Sequence, residues 1–402
     1  MKIGVGVSTQ KNVASAAREI WDQAKSKIGK ETIDLAILFT SVDLSTNSLL
    51  KVIKNNLGGS PLAGCSSQAI ITNHGILRHA AALVLINCQG IDISAASIEN
   101  IKARTALTAG EELGNKLLQG FRGSHRELGM FFCDGLIEEG SQLILGLQER
   151  LGRSFPIAGA SASDNLNYYK TYLYFNREVI SDAAVGILWG GKLKFGLGIR
   201  HGWKPLGKHR TVTKSYSNVI EKIDGKPAVS IYQDYFAKDT AELRKDLKYI
   251  STLYPIGIYL EGETEYLLRN ILSIGDNGSL ICQGDISVGS QIRLMIGTKE
   301  SCLAAARQAV LDAKKGLAIS RLGLEKKGSA ADIVFVFDSA SRYSLLKRNA
   351  DQELRTIKEA LQEEVPIVGF YTYGEQAPLK SINYHGQAHF HNQTVSILAL
   401  GG

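Results

Sequence analysis

Disulfide bonding and structural zinc are the first possibilities the sequence excludes. Its five cysteines, Cys65, Cys88, Cys133, Cys282 and Cys302, are odd in number and form no Cys-x-x-Cys pair, the pattern those frameworks need. Basic runs are also missing. Lys and Arg exceed Asp and Glu by 46 to 39, a net charge of +7, but no Lys/Arg run is longer than two residues. Aromatic and basic residues do not interleave on any strand, so the excess charge is no nucleic-acid footprint. No apolar run approaches bilayer length. The segment Met1–Gln10 is strand-like and lacks the apolar stretch and cleavage site of a signal peptide. These absences predict a cytoplasmic protein that binds no nucleic acid and has no transmembrane segment.

What is present is repetition. Three times an apolar strand leads through a helix to a segment opening Pro-apolar-x-Gly with a small or hydroxyl-rich turn behind it. The pairs are Leu35–Ser41 with Pro61–Gln68, Leu128–Asp134 with Pro156–Asp164, and Ile333–Ser339 with Pro366–Gln376. From the aligned residues Thr40, Cys133 and Asp338 to Gly64, Gly159 and Gly369 is 24, 26 and 31 positions, close enough for one duplicated supersecondary unit. A Gly at each turn permits close backbone approach, and the side chains after it donate and accept hydrogen bonds. The turns are therefore expected to form small-molecule contact points.

At 402 residues, 44% hydrophobic and 21% charged, the chain exceeds one ordinary core, and two domains are expected. The first, residues 1–215, holds two units, about 1–118 and 119–215. In unit one, helical spacing runs over Ala14–Lys27 and Leu49–Leu57, and Ala69–Thr72, a turn at Asn73–Gly75 and Ala80–Ile86 read as a hairpin. The polar stretch Thr211–Asn218 is the expected seam. The second domain, 216–402, contains a hairpin at Asp224-Gly225, another around Asp276–Gly278, an amphipathic helix over Cys302–Ala318, and the third unit. No low-complexity linker interrupts the chain. The expected fold class is mixed α/β, with strand-helix-strand-hairpin units and mixed sheets.

Near-motifs carry less. Residues 202–208 fit Gly-x4-Gly-Lys, but His209 stands where a hydroxyl is needed and a strand follows. Gly196 and Gly198 open no helix, so they are read as a strand packed closely on another backbone. Gly159–Ser163 approaches a nucleophile elbow but ends in Ser and precedes no helix. A hydrolase or transferase using Cys65 or Ser161 is therefore the rival reading, weighed against inert packing. His385, His389 and His391 share a parity on one strand, where a metal or haem iron could be held or a solvated face could lie. Asp134, Asp338 and Arg342 sit at or just past strand ends, where charges serve ligands or cap helices.

Residues 64–68, 156–163 and 202–207, with Gly369–Pro378 followed by His391–Thr394, resemble the paired FIST domains, amino-terminal and carboxy-terminal, of signal transduction proteins. The resemblance runs from about Asp34 to the end. It implies a sensory module for small ligands such as amino acids, often wired to histidine kinases, cyclic-dinucleotide enzymes or chemotaxis receptors, and in some relatives a haem-dependent nitric oxide sensor. No such output segment follows Gly402, so output is expected to pass to a separate protein. The matching positions are Gly64, Cys65, Ser66, Gly159, Ser161, Gly369, Phe370, Tyr373, Gly374, Glu375, His391 and Asn392.

The combined expectation is a non-enzymatic sensor that needs no cofactor. Backbone N–H groups at the turns with Ser66, Ser67, Ser161 and Ser163 would receive a carboxylate. Asp134, Asp338 or Glu375 would pair an ammonium, and Tyr371 and Tyr373 would wall the site.

Overall fold

The structure, a computed structural model, describes residues 1–44, 46–319, 331–379 and 386–402. One pattern recurs three times: strand, helix, strand, helical segment, strand, hairpin, strand. The first unit is β1 (Lys2–Ser8), α1 (Val13–Ile28), β2 (Leu35–Ser41), α2 (Asn47–Leu57), β3 (Leu62–Ser67), the hairpin β4 (Ile70–Thr72) and β5 (Gly75–Leu77), and β6 (Ala81–Asn87). The second is β7 (Ile91–Glu99), α3 (Ala106–Gly120), β8 (Arg126–Cys133), α4 (Gly140–Leu151), β9 (Ile157–Ser161), the hairpin β10 (Leu173–Phe175) and β11 (Glu178–Ile180), and β12 (Ala183–Gly191).

The third unit opens with β13 (Lys194–Arg200) and is then interrupted by residues 201–298. This insertion contains β14 (Lys204–Tyr216), β15 (Val219–Ile223), β16 (Lys226–Pro227), α5 (Ser230–Phe236), α6 (Thr240–Leu253), β17 (Ile256–Ile258), β18 (Leu267–Arg269), β19 (Ile271–Ile274), β20 (Leu280–Cys282) and β21 (Gln291–Ile296). The unit resumes with α7 (Lys299–Ile319), β22 (Ile333–Ser339), α8 (Ala340–Leu346), α9 (Ala350–Leu361), β23 (Ile367–Thr372), the hairpin β24 (Glu375–Pro378) and β25 (Ala388–His391), and β26 (Val395–Gly401).

The units exchange their hairpins. Each builds four strands of its own sheet, in the orders β1-β6-β2-β3, β7-β12-β8-β9 and β13-β26-β22-β23. The third strand is parallel to the fourth in every case. The hairpin then leaves: β10 pairs with β3, β24 with β9, and β4 with β23. Each unit thus completes a neighbour's sheet, closing a three-membered ring. The repeated Gly makes the parallel pairing possible. Gly64 lies opposite Leu38, Gly159 opposite Phe131 and Gly369 opposite Val336. An added Cβ would stand 1.8, 1.9 and 1.9 Å from those residues' carbonyl oxygens.

The inner faces of the three sheets share one core. Phe39, Phe132 and Phe337 occupy the equivalent place in their units and meet near the centre, with Phe39 and Phe132 centroids 5.5 Å apart and Phe132 and Phe337 6.0 Å apart. Phe370 bridges Phe39 and Phe337. Helices cover the outer faces: α1 and α2 on the first sheet, α3 and α4 on the second, α7 and α9 on the third. Helix α1 shows why they form. The Asn12 side chain accepts from Ser15 N at 3.0 Å, Ala17, Ile20, Ala24 and Ile28 make the buried stripe, and Gly29, at φ 67°, ends it. Gly196 and Gly198 of β13 lie against the backbone of α7, as their sequence spacing predicts.

Two sequence expectations change. The first hairpin does not join Ala69–Thr72 to Ala80–Ile86: β4 turns back on β5, while β6 pairs with β1 and β2 in its own unit. Both strands are apolar, and only the third unit's sheet explains where β4 goes. The polar stretch chosen as a seam belongs to β14, which pairs with β15 and β21, and the division after residue 215 falls one residue before that strand's end. The Asp224-Gly225 turn is as expected, with φ of 49° and 79°.

Gly159→Ala should destabilise the protein by about 1–3 kcal/mol, the range for overpacking. Gly59→Ala, where nothing lies within 4 Å, should be near neutral. Chemical denaturation of both variants checks the pair, and equal effects would remove the packing role assigned to the repeated Gly.

Candidate functional site

The three Gly-containing turns converge and are tied together by hydrogen bonds. At equivalent positions Ser66, Ser161 and Tyr371, the backbone N–H donates to the hairpin segment of another unit: to Tyr172 O at 2.8 Å, Gly374 O at 2.7 Å and Ala69 O at 3.2 Å. The side chains follow suit. Ser67 Oγ and Ser163 Oγ both donate to Tyr371 O, at 2.8 and 2.5 Å, and Gln68 N donates to Ser163 Oγ at 3.1 Å. Ser66 Oγ accepts from Tyr172 N at 3.0 Å. The hydroxyls selected from the sequence are brought together, but buried and occupied by protein partners.

The rival nucleophiles lie in the same sealed region. Cys65 is wholly buried, and burial followed by nearby Cys133 pushes its thiol well above the ordinary range. Ser161 Oγ sits 3.2 Å from Cys133 Sγ and accepts from Gln376 Nε2 at 3.0 Å. Neither meets a histidine among the described residues. Asp134 fastens loops, accepting from Leu136 N, Thr171 Oγ1 and Asp182 N.

Charge concentrates in the third unit. Where the others carry Thr40 and Cys133, it carries Asp338, whose Oδ1 accepts from Arg342 Nε at 3.0 Å. Arg342, fully buried at the start of α8, also donates to Glu353, to His201 O and to Cys302 O. Burial pushes Asp338 well above the usual carboxylate range, and Glu353 reinforces this against Arg342. Glu375 lies within electrostatic reach of the same guanidinium. Its Oε2 accepts from Thr394 N at 3.2 Å and Thr394 Oγ1 at 2.5 Å, while Oε1 has no partner among the described residues. Burial raises it to about 8 despite those bonds.

The His391–Thr394 motif forms a clamp. His391 Nε2 meets Ala377 O at 2.9 Å, Asn392 Oδ1 accepts from Asn270 N at 3.2 Å, Gln393 Nε2 donates to Ser251 O at 3.0 Å and to Asn270 Oδ1, and Thr394 holds Glu375. Two of these four residues therefore bind the insertion. Burial lowers His389 to about 4 and His391 to about 3, so both rings are neutral at pH 7. His385 lies outside the described residues. Among the described residues no three His, Cys, Asp or Glu side chains are grouped to hold a metal ion.

The clamp leaves a cleft open. Strand β13 runs parallel to β22, both being antiparallel to β26, so the insertion leaves from the end where β22 and β23 finish. In α/β sheets the carboxyl ends of strands are where ligands usually bind. Between the insertion and those ends lies a cavity of about 650 Å³. One wall is Gly135–Glu138 with Leu166 and Tyr168. The opposite wall is Arg244, Lys245, Leu247, Lys248, Ile271 and Leu272, and Ser341 and Ser344 of α8 close it. Asn270 Nδ2 donates to Gln283 Oε1 at 3.1 Å and to Ser341 Oγ at 3.3 Å, and Gln283 Nε2 donates to Tyr373 O.

Of the residues chosen from the sequence, Tyr373 comes nearest this cleft. Its ring stacks on Tyr168, centroids 4.5 Å apart, and its hydroxyl donates to Asp164. Tyr371 packs instead on Tyr343 in the interior. Gly64, Gly159, Ser66, Ser67, Ser161, Ser163, Asp134, Asp338, Arg342, Gly374 and Glu375 do not line the cleft. The lining residues come from seven separated stretches of the chain with no shared spacing, so no motif could have marked them.

The fold is a ring of three α/β units whose third member carries an insertion walling a ligand-sized cleft. The chain belongs to the FIST family: residues 34–226 match the FIST N domain and residues 228–378 the FIST C domain. FIST domains are sensory modules of signal transduction. An uncharacterized protein of Methanocaldococcus jannaschii is 25% identical over 305 residues, covering 71% of this chain and 58% of that protein. An uncharacterized protein of Mycobacterium tuberculosis is 23% identical over 398 residues, covering 96% and 97%. Among solved structures, a cyanuric acid hydrolase covers 100% of this chain and 99% of its own at 8% identity and a TM-score of 0.38. The A. caulinodans enzyme covers 99% and 98% at 9% identity and 0.41. At these scores the likeness decides nothing about this chain. No helix among the described residues is long and apolar enough to cross a membrane.

Two outcomes test the buried charges. Glu375 is raised from 4.5 to about 8, so the folded state binds more protons than the unfolded across that window, and this contribution is lost as pH rises through it. The histidines act oppositely: lowered from 6.5, they favour unfolding as pH falls below 6.5. Glu375→Gln should flatten the decline in melting temperature from pH 5 to 8 relative to wild type, and an unchanged difference would place the titration elsewhere. Arg342→Met should cost about 3–5 kcal/mol, the scale for removing one partner of a buried ion pair, as read by urea denaturation.

Proposed function

We propose that the protein is a cytoplasmic sensory module that binds a small metabolite, an amino acid or a similar compound, in the cleft beneath the insertion and signals to a separate output protein. The observation that carries this reading is the cleft itself. Its volume, and the apolar surface it sets among polar side chains, suit a small-molecule site, and it lies at the strand ends. Its floor connects to the ring of units, since Gln283 holds the Tyr373 carbonyl and Gly374 holds Ser161 N. A ligand that draws the insertion toward Leu136 and Leu166 would load these bonds and alter the surface shown to a partner such as a histidine kinase, a cyclic-dinucleotide enzyme or a chemotaxis receptor. The reading needs no prosthetic group. The burial of Cys65 and the hydrogen bonds of Ser161 argue against using either as a nucleophile.

A metabolite-library thermal-shift screen tests the proposal, because a ligand of the folded state stabilises it by mass action. At least one small metabolite should raise the melting temperature of the wild type, and Leu272→Trp, which fills the cleft from an exposed wall position, should abolish the shift. Ser161→Ala should leave ligand affinity unchanged. A shift that survives Leu272→Trp would move the site out of the cleft.

A further inference from the structure

Resting on the cleft of that reading, and narrowing its ligand from an amino acid to a similar compound without an ammonium, we propose that the ligand is an anion with an apolar body, held by a single carboxylate or similar head at Lys245 and Lys248. The polar floor offers a neutral ligand little. The Asn270 amide donates to Gln283 and Ser341 and accepts from Gln393, and Gln283 donates to Tyr373 O. A neutral polar group would have to break one of those bonds to make another. The walls favour carbon. Leu136, Leu166 and Leu247 line the cavity, and Tyr168 and Leu272, 47% and 44% exposed, turn large apolar surface into it. Exposed apolar surface collected in a concavity is what an apolar ligand body covers.

Charge selects the head group. Lys245 and Lys248 are three residues apart on α6 and so share a face, and neither forms an ion pair among the described residues, whereas Arg244 is engaged by Asp276 and by the Ile274 carbonyl. Among the described residues Glu138 is the one carboxylate on the lining. Two unpaired ammonium groups against one carboxylate leave a net positive cleft. An anion gains there without an ammonium of its own, and a cation is repelled.

The test is calorimetric titration of the full chain with a matched set sharing one branched five-carbon body: 4-methylpentanoate, leucine, 4-methylpentanamide and 4-methylpentylamine, with acetate as the headgroup alone. The carboxylate should bind tightest, at least about tenfold tighter than the amide, equivalent to about 1.4 kcal/mol. The amine and acetate should not bind measurably. Lys245→Gln with Lys248→Gln should weaken the carboxylate about tenfold and leave the amide unchanged, both lysines being exposed positions whose replacement spares the core. Tighter binding of the amine, the amide or leucine, or no binding by any member, overturns the inference. If a metabolite binds in any charge class but Leu272→Trp does not disturb it, the cleft reading fails. If Leu272→Trp abolishes binding of a zwitterion or cation, the cleft stands and the anion assignment alone is lost.

Discussion

The exchange of hairpins among three units is the constraint on which the rest of this structure depends. No unit satisfies the free edge of its own parallel strand: β3, β9 and β23 each await a strand supplied by a neighbour. An unpaired edge in an apolar interior would leave a row of backbone donors and acceptors unbonded, each costing on the order of 1–3 kcal/mol. Closing the ring satisfies all three edges at once. It also forces the turns after the repeated Gly to meet, and their hydroxyls become the ties between units.

That arrangement occupies the hydrogen-bonding groups of the turns with protein partners. Ser67, Ser163 and the Tyr371 carbonyl already form a closed set, and freeing them for a ligand would open the junction of three sheets. At the strand position where the third unit carries Asp338, the first two carry the uncharged Thr40 and Cys133. The third has placed Asp338, Arg342 and Glu353 behind the junction, with Glu375 close by, and has accepted an insertion that the clamp His391–Thr394 holds in place. Buried ion networks of this kind seldom add stability over an apolar alternative, but removing one member is costly. Here Arg342 also donates to His201 O, where the insertion begins, and to Cys302 O, just past its end.

Much of the architecture was legible in residue order. Pro-apolar-x-Gly after an apolar strand marked all three parallel pairs, and the alignment of Thr40, Cys133 and Asp338 matches the strand register two residues on from Leu38, Phe131 and Val336. That signal is local, because one carbonyl facing one Gly needs no knowledge of the rest of the chain. The hairpin partners were not legible, since β4, β10 and β24 carry no mark of which sheet receives them. The short apolar strand β4 reads equally well as partner to β6.

By itself the sequence determined the repeated unit, its parallel strand pair, the helices on its outer face and the family. These follow from periodicity and from the steric demand at a single Gly. Only the tertiary structure decided that the units close into a ring, that the hydroxyl-rich turns are consumed in closing it, and that the concavity left over lies under the insertion. The reason is that a hydroxyl or carboxylate has the same chemistry whether it meets a ligand or a backbone amide. Which of the two it meets depends on strand ends from three distant parts of the chain arriving at one place, and no local pattern encodes that arrival.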